Sequence, residues 1–245
     1  MNNLRTVILR TTVLARKELY SWINSPALYG ITVFFLLFVS IRFYYLQRFF
    51  AMDIASLRPF FQVFPLAFIL VIPVLTMKAW AEEKKLGSVE ILFTLPFTES
   101  ELVWGKFLSC FTLLFGMLIL TLPVPLTLIP LGYFDPGVLF AEYTGALLLG
   151  AAAAALGLFL SSVSRNQAAS FVGSVVVLLA LMLLNNFTQD LPPQLARLFN
   201  YVSLAFHFES FSRGLLDSRD IAFLLLSTGL FLFLNTQVLI FRKWS

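Results

Sequence analysis

Six stretches of predominantly apolar residues, at 26–46, 60–77, 102–125, 144–163, 168–187 and 221–241, take up about half of this 245-residue chain. About 20 apolar residues in a helix cross the hydrocarbon core of a bilayer. Inside lipid no water can satisfy a backbone N–H or C=O, so each stretch has to be helical. Composition excludes the soluble alternative. Hydrophobic residues make up 59% and charged residues 12%, against roughly 45–50% and 25% for a soluble domain. A soluble core of this size could not hide 28 phenylalanines. The fold class expected is an all-α integral membrane protein, one domain over residues 1–245. Pro65 and Pro73 predict a bent second span, and Pro123, Pro125 and Pro130 a broken end to the third.

Residues 1–24 precede the first span and are amphipathic. At 100° per residue Leu4, Val7, Ile8, Leu14, Leu19 and Trp22 fall on one side, and Arg5, Arg10, Arg16 and Lys17 on the other. That pattern predicts a helix lying in the membrane surface. It does not resemble a cleavable signal peptide, which has a short basic region, an apolar core and a small-residue cleavage site. Glu18 falls beside the apolar face and is expected to pair with a lysine of the charged loop described next. Ser25-Pro26 reads as an N-cap and first-turn proline that start the next helix at a new angle.

AEEKKLGSVE, residues 81–90, carries five charges in ten residues, in the middle of a chain that has few. The loop it belongs to, 78–101, has the pattern of ordered short helices. Ala79 to Leu86 favours helix and Gly87 is placed to end it. Ser88 can cap a second turn containing Val89, Glu90, Leu92 and Phe93, which Pro96 stops. Thr98 and Glu101 form the S/T-x-x-E capping box that opens the third span. A helix of this kind, held just outside the membrane, suits docking to a soluble partner.

Lysine and arginine distribution orients the chain. With six spans both termini share a side, and that side, with the loop, holds 11 of the basic residues against 6 on the other. The positive-inside rule places the termini and the loop in the cytoplasm. In the fourth span Ala146, Gly150 and Ala154 recur every four residues, as do Ala153, Gly157 and Ser161. Small residues at this spacing let another helix approach, from the same chain or from a second subunit.

The missing chemistry is equally informative. The six spans as delimited contain no Asp or Glu at depth, so coupling to an ion gradient has no obvious carrier. No G-x-x-x-x-G-K-[ST] loop binds nucleotide phosphates. Glu82-Glu83 resembles the paired glutamates of CAAX-type membrane proteases, but Gly87 stands where those enzymes need arginine, and His207 is the sole histidine. No metal-ligand spacing occurs. His207, near Glu209, is expected to be a hydrogen-bonded residue of an outer loop. Cys110 has no intrachain partner for a disulfide. Catalysis in this chain is not expected.

Three segments, RKELYSWINSPALY at 16–29, TMKAWAEEKKLGSVEILFTLPFTESELVWGKF at 76–107 and HFESFSRGLLDSRD at 207–220, resemble the ABC-2 type transporter permeases, most closely the gliding-motility-associated subgroup. The central segment keeps the pattern E-x-x-x-G-[TS]-x-E-x-L…P through Glu83, Gly87, Ser88, Glu90, Leu92 and Pro96, with Lys106 ten residues on. The resemblance implies a permease subunit of a bacterial cytoplasmic-membrane exporter. Residues 1–24, with Arg16, Lys17 and Glu18, would be its elbow helix, and 79–96 its coupling helices. Glu82, Glu83, Lys84, Lys85, Glu90, Val89, Leu92 and Phe93 would contact the ATPase, and short re-entrant helices would lie between spans five and six. It further implies two ATP-binding subunits that hold ATP and Mg, none in this chain, and a second permease subunit. The rival reading is a channel or scaffold that anchors a cytoplasmic partner without ATP-driven transport.

Overall fold

Helix packing in a membrane depends on small residues that let backbones meet, and the alanine-rich fourth span occupies the centre of this molecule. The computed structural model describes residues 2–46, 57–87, 97–128, 135–190 and 192–243. In chain order its helices are α1 (Asn2–Ile23), α2 (Pro26–Ile41, continued by a π-helical turn at Arg42–Leu46), α3 (Arg58–Phe61), α4 (Phe64–Thr76), α5 (Lys78–Lys85), α6 (Glu99–Thr121), α7 (Pro123–Leu128), α8 (Pro136–Val163), α9 (Gln167–Leu183, followed by a 3-10 turn at Leu184–Asp190), α10 (Pro193–Val202), α11 (Leu204–Ser212) and α12 (Ser218–Lys243). Among the described residues, six helical runs are long and apolar enough to cross a membrane: Pro26–Tyr45, Arg58–Lys85, Glu99–Leu128, Pro136–Val163, Gln167–Phe187 and Ser218–Phe241.

α8 packs against α4, α6, α9, α11 and α12. Its small residues make this possible. A side chain at Gly145 would overlap Phe211 of α11, one at Gly150 would overlap Leu114 of α6, and one at Gly157 would overlap Thr76 of α4. Ala146, Ala153 and Ala154 are buried on the same helix. Both rows of small residues are thus occupied by the chain's own helices. A second packed region is aromatic. Phe35, Phe43, Phe60, Phe61, Phe64 and Phe68 of α2, its π-helical extension, α3 and α4 are buried together, with edge-to-face pairs such as Phe43–Phe60 at 5.4 Å between ring centroids. Large apolar side chains elsewhere point outward, among them Val33 and Leu37 on α2, Val172 and Val176 on α9, and Leu226 and Phe233 on α12. Such faces suit lipid or another membrane helix.

Two spans run further than the sequence suggests. The second does not stop at 77: only Met77 separates α4 from α5, so the helical run continues to Lys85. Nothing between Thr76 and Lys78 forces the chain away from helix, and Gly87, at φ +68°, supplies the left-handed residue just beyond the end. The fourth span begins at Pro136, because Asp135 accepts a hydrogen bond from Gly137 N–H as N-cap and the proline occupies the first turn. The extension brings in a carboxylate that the apolar stretch at 144–163 leaves out. Glu142 lies within α8 and is only 1% exposed. The third run is interrupted at Leu122, immediately before Pro123. Pro26 opens α2, while the Ser25 side chain makes no cap bond.

At the end of the bundle away from the charged loop, α10 and α11 fold as two short helices followed by a turn at Gly214 (φ +78°). His207 lies in α11 and is 4% exposed. Its partner is not Glu209. Nδ1 is 2.7 Å from Asp220 Oδ1 on α12, and Nε2 is 2.9 Å from the Tyr201 carbonyl oxygen. Glu209 instead accepts from Arg213 at 2.5 Å and lies 3.7 Å from Arg58.

Candidate functional site

Several of the charged residues singled out in the sequence, Lys17, Glu18, Glu82 and Glu83, converge with Lys106 where α1, α5 and α6 meet. α1 packs along the first turns of α6, burying Thr11, Leu14, Ala15 and Trp22. Val7 and Ile8, on the apolar side of the helix, remain exposed. Two features of α6 set the buried face: Gly105 leaves room for Leu14, and Lys106 draws in Glu18.

Lys106 is the centre of the junction. Its ammonium donates to Glu18 Oε1 on α1 at 3.0 Å and to Glu83 Oε1 on α5 at 2.7 Å. It also sits 4.9 Å from the centre of the Trp80 ring, a cation–π geometry. The lysine side chain is 2% exposed and each carboxylate 18%. One buried cation thereby ties three helices together. Two carboxylates and an aromatic face offset the large desolvation cost of burying it. The lysine that Glu18 pairs with is thus Lys106, in the first turns of α6.

The break between α4 and α5 is repaired by α8. Ser161 Oγ accepts from Trp80 N–H at 3.2 Å and from Ala81 N–H at 3.3 Å, and donates to the Met77 carbonyl at 3.2 Å. These are the amide donors that a restarting helix leaves without intrahelical acceptors, and a hydroxyl from another helix caps them. In return, Lys84 Nζ donates to the Ser162 carbonyl and, at 3.1 Å, to that of Ser164. A cation at a helix C-terminus complements the helix dipole as well as its free carbonyls. α5 is therefore held at both ends by groups from other helices.

Of the residues expected to face a partner, Glu83 and Lys84 have intrachain partners. Glu82 is half-buried, while Lys85, Leu86 and Gly87 are exposed. Ser88, Val89, Glu90, Leu92, Phe93 and Pro96 lie outside the described residues. Thr98 and Glu101 form a capping box at the start of α6, the Thr98 hydroxyl accepting from Glu101 N–H and the Glu101 carboxylate from Thr98 N–H at 2.8 Å. Arg16 stacks over Tyr20 on the exposed side of α1, and Lys17 lines a cavity of about 300 Å³ between α1, α5 and α6. Among the described residues no cluster of His, Cys, Asp and Glu could hold a metal ion.

Three residues central to this junction, Lys106, Trp80 and Ser161, carry no distinctive sequence motif as a group. One signal was available: Lys106 is a single cation within an otherwise apolar stretch, and Glu18 a single acid on a basic helix.

Residues 12–200, which include the Lys106 junction and both helices flanking the polar loop, are matched by the family model described as ABC-2 family transporter protein. The chain belongs to the ABC-2 transporter family. It is a permease component, the membrane-embedded part of an ABC transporter, and that assignment implies association with an ATP-binding subunit. No curated protein matches the chain. In this ABC-2 permease, the Lys106 junction lies beside the segment that connects the second and third spans.

Proposed function

We propose that this ABC-2 permease is moved by a separate ATPase that docks on the 79–96 segment, and that the Lys106 junction passes the movement to the surface helix α1 and the third span. The observation that carries this reading is the pairing of one buried lysine with carboxylates from α1 and α5. A push on α5 cannot leave α1 and α6 behind without separating buried charges, which costs several kcal/mol per ion. Rigid-body movement of the three helices is the low-energy response. The ATPase would meet Lys85 and Leu86 together with Val89, Glu90, Leu92 and Phe93, while the half-buried Glu82 lines the cavity between α1, α5 and α6. Glu83 and Lys84 belong to the internal frame.

The working unit in this reading has two permease subunits, alike or related, and two ATP-binding subunits that hold ATP and Mg. α1 serves as the elbow helix, both termini face the cytoplasm of a bacterial cell, and α10 and α11 are the outer re-entrant pair. Transport is outward. The subgroup favoured is the gliding-motility-like one, on the sequence pattern from Glu83 to Pro96.

The test separates coupling from folding. Lys106→Met strands two carboxylates, whereas Lys106→Met with Glu18→Gln and Glu83→Gln removes all three charges. In complexes purified with the ATPase subunit, the triple variant should fold and bind ATPase but lose the stimulation of ATP hydrolysis that the permease confers. Normal stimulation in a stably folded triple variant would show that the junction does not carry the movement. A channel or scaffold would instead pass ions in liposomes, or hold its partner, without nucleotide.

A further inference from the structure

The cavity between α1, α5 and α6 holds charged groups that the coupling reading does not use. Three lysines (Lys17, Lys78, Lys106) and three glutamates (Glu18, Glu82, Glu83) line it, so it is neutral in sum but not uniform. Lys106 is spent on Glu18 and Glu83. Lys17, Lys78 and Glu82 form no ion pair among the described residues, and the Lys78 ammonium lies 5.6 Å from the centre of the Trp22 ring. The hydroxyls of Ser21, Ser25 and Ser109 share the wall. The cavity lies where the surface helix turns into the first span, the level at which lipid headgroups sit.

A second cavity of about 310 Å³ lies between α2 and α6, its walls almost wholly apolar: Leu28, Tyr29 and Val33 from one helix, Leu113, Gly116 and Leu120 from the other. The two are consecutive along both helices. Ser25 of the polar cavity precedes Leu28 of the apolar one by a single turn, and Ser109 precedes Thr112 in the same way. Tyr29 lines the apolar cavity, its hydroxyl donating to the Ile23 carbonyl at 2.9 Å. From Ser109 to Leu120 the α6 wall rises roughly 16 Å at 1.5 Å per residue. Gly116 leaves the groove open, with nothing within 4 Å of where a Cβ would stand.

We propose that the polar cavity and the apolar groove are one binding site for a membrane phospholipid whose headgroup carries both a phosphate and a primary ammonium. The phosphate lies between Lys17 and Lys78, where charge-assisted hydrogen bonds are strongest. The ammonium donates to Glu82, and one acyl chain fills the groove past Gly116. An anionic headgroup without the amine leaves Glu82 facing a phosphate. A trimethylammonium headgroup has no N–H to donate. The lipid wedges α1 against the start of the first and third spans, and the assignment does not depend on the coupling reading.

Native mass spectrometry of the delipidated permease, purified with its ATPase subunit and titrated with defined lipids, tests the site. Phosphatidylethanolamine should be retained at one molecule per permease chain, several-fold more strongly than phosphatidylglycerol or phosphatidylcholine. Lys17→Ala with Lys78→Ala should remove the headgroup preference, and Gly116→Leu, which fills open space and should leave the fold intact, should remove retention. Equal retention of the three lipids overturns the headgroup assignment. Unchanged retention by Gly116→Leu, or a change in oligomeric size with lipid retention intact, overturns the groove assignment.

Discussion

Leu14 of α1 rests directly on the backbone of α6 at Gly105, one residue before the lysine that binds Glu18. Three atoms of the Leu14 side chain, its Cβ included, occupy the space a methyl at Gly105 would need. The close approach and the ion pair therefore act together, since the backbone contact brings α1 near enough for Lys106 to reach Glu18 at 3.0 Å.

Gly105→Ala should accordingly destabilise the junction, although alanine favours helix over glycine by about 1 kcal/mol. Overpacking a tight contact costs about 1–3 kcal/mol, and Leu14 cannot yield by a rotamer change alone because its Cβ is involved. Gly173 in the middle of α9 is the control, with open space around its Cα. Gly173→Ala should stabilise by up to about 1 kcal/mol. Thermal unfolding in detergent should show opposite signs for the two variants, and limited proteolysis should release α1 only in the first.

Removing the Ser161 hydroxyl should loosen α5 locally. In Ser161→Ala the Trp80 and Ala81 amides lose their acceptor while both residues stay fully buried. Each stranded donor costs about 1–3 kcal/mol. Hydrogen exchange by mass spectrometry should show faster exchange across Lys78–Lys85, with Glu99–Thr121 unchanged. Uniformly faster exchange would mean that the hydroxyl supports the whole bundle instead of this helix.

The length of the apolar runs is enough to mark six candidate spans, because lipid imposes one requirement on every residue of a segment. Local capping is equally readable: Gly87 and the Thr98–Glu101 box each depend on neighbours within a few positions. The junction is different in kind. Glu18 and Lys106 are 88 positions apart, and Ser161 caps amides 80 and 81 positions away. Such pairings depend on which helices are neighbours, and hydropathy is the same for every arrangement. Glu142 was hidden by a boundary. It falls just outside the apolar stretch that begins at Thr144 but inside the helix that Asp135-Pro136-Gly137 starts.

Glu142 motivates a third prediction. It is buried in α8, and among the described residues neither carboxylate oxygen has a hydrogen-bond partner. Its neighbour Tyr143 is well placed, with its hydroxyl 3.0 Å from Thr121 and its ring edge-to-face with Phe61. A buried polar group without a partner costs free energy that an apolar side chain of similar length does not. Glu142→Met should therefore raise stability by about 1–3 kcal/mol, seen as an upward shift of the thermal midpoint. A drop would show that Glu142 takes a partner in the working complex.

His207 permits a test by double substitution. Its ring lies flat on Phe223 at 3.8 Å, and its two nitrogens face the Asp220 carboxylate and the Tyr201 carbonyl. A carbonyl oxygen only accepts, so Nε2 carries a hydrogen, and the Asp220 contact holds α11 to the start of α12. His207→Phe preserves the ring stack but strands a mostly buried carboxylate, which should destabilise by about 3 kcal/mol or more. Asp220→Leu on that background removes the stranded charge, so the double variant should be more stable than His207→Phe alone. Such recovery gives the non-additivity expected of two residues in direct contact, roughly 0.5–3 kcal/mol. If the two effects simply add in thermal unfolding, the pair does not hold these helices together.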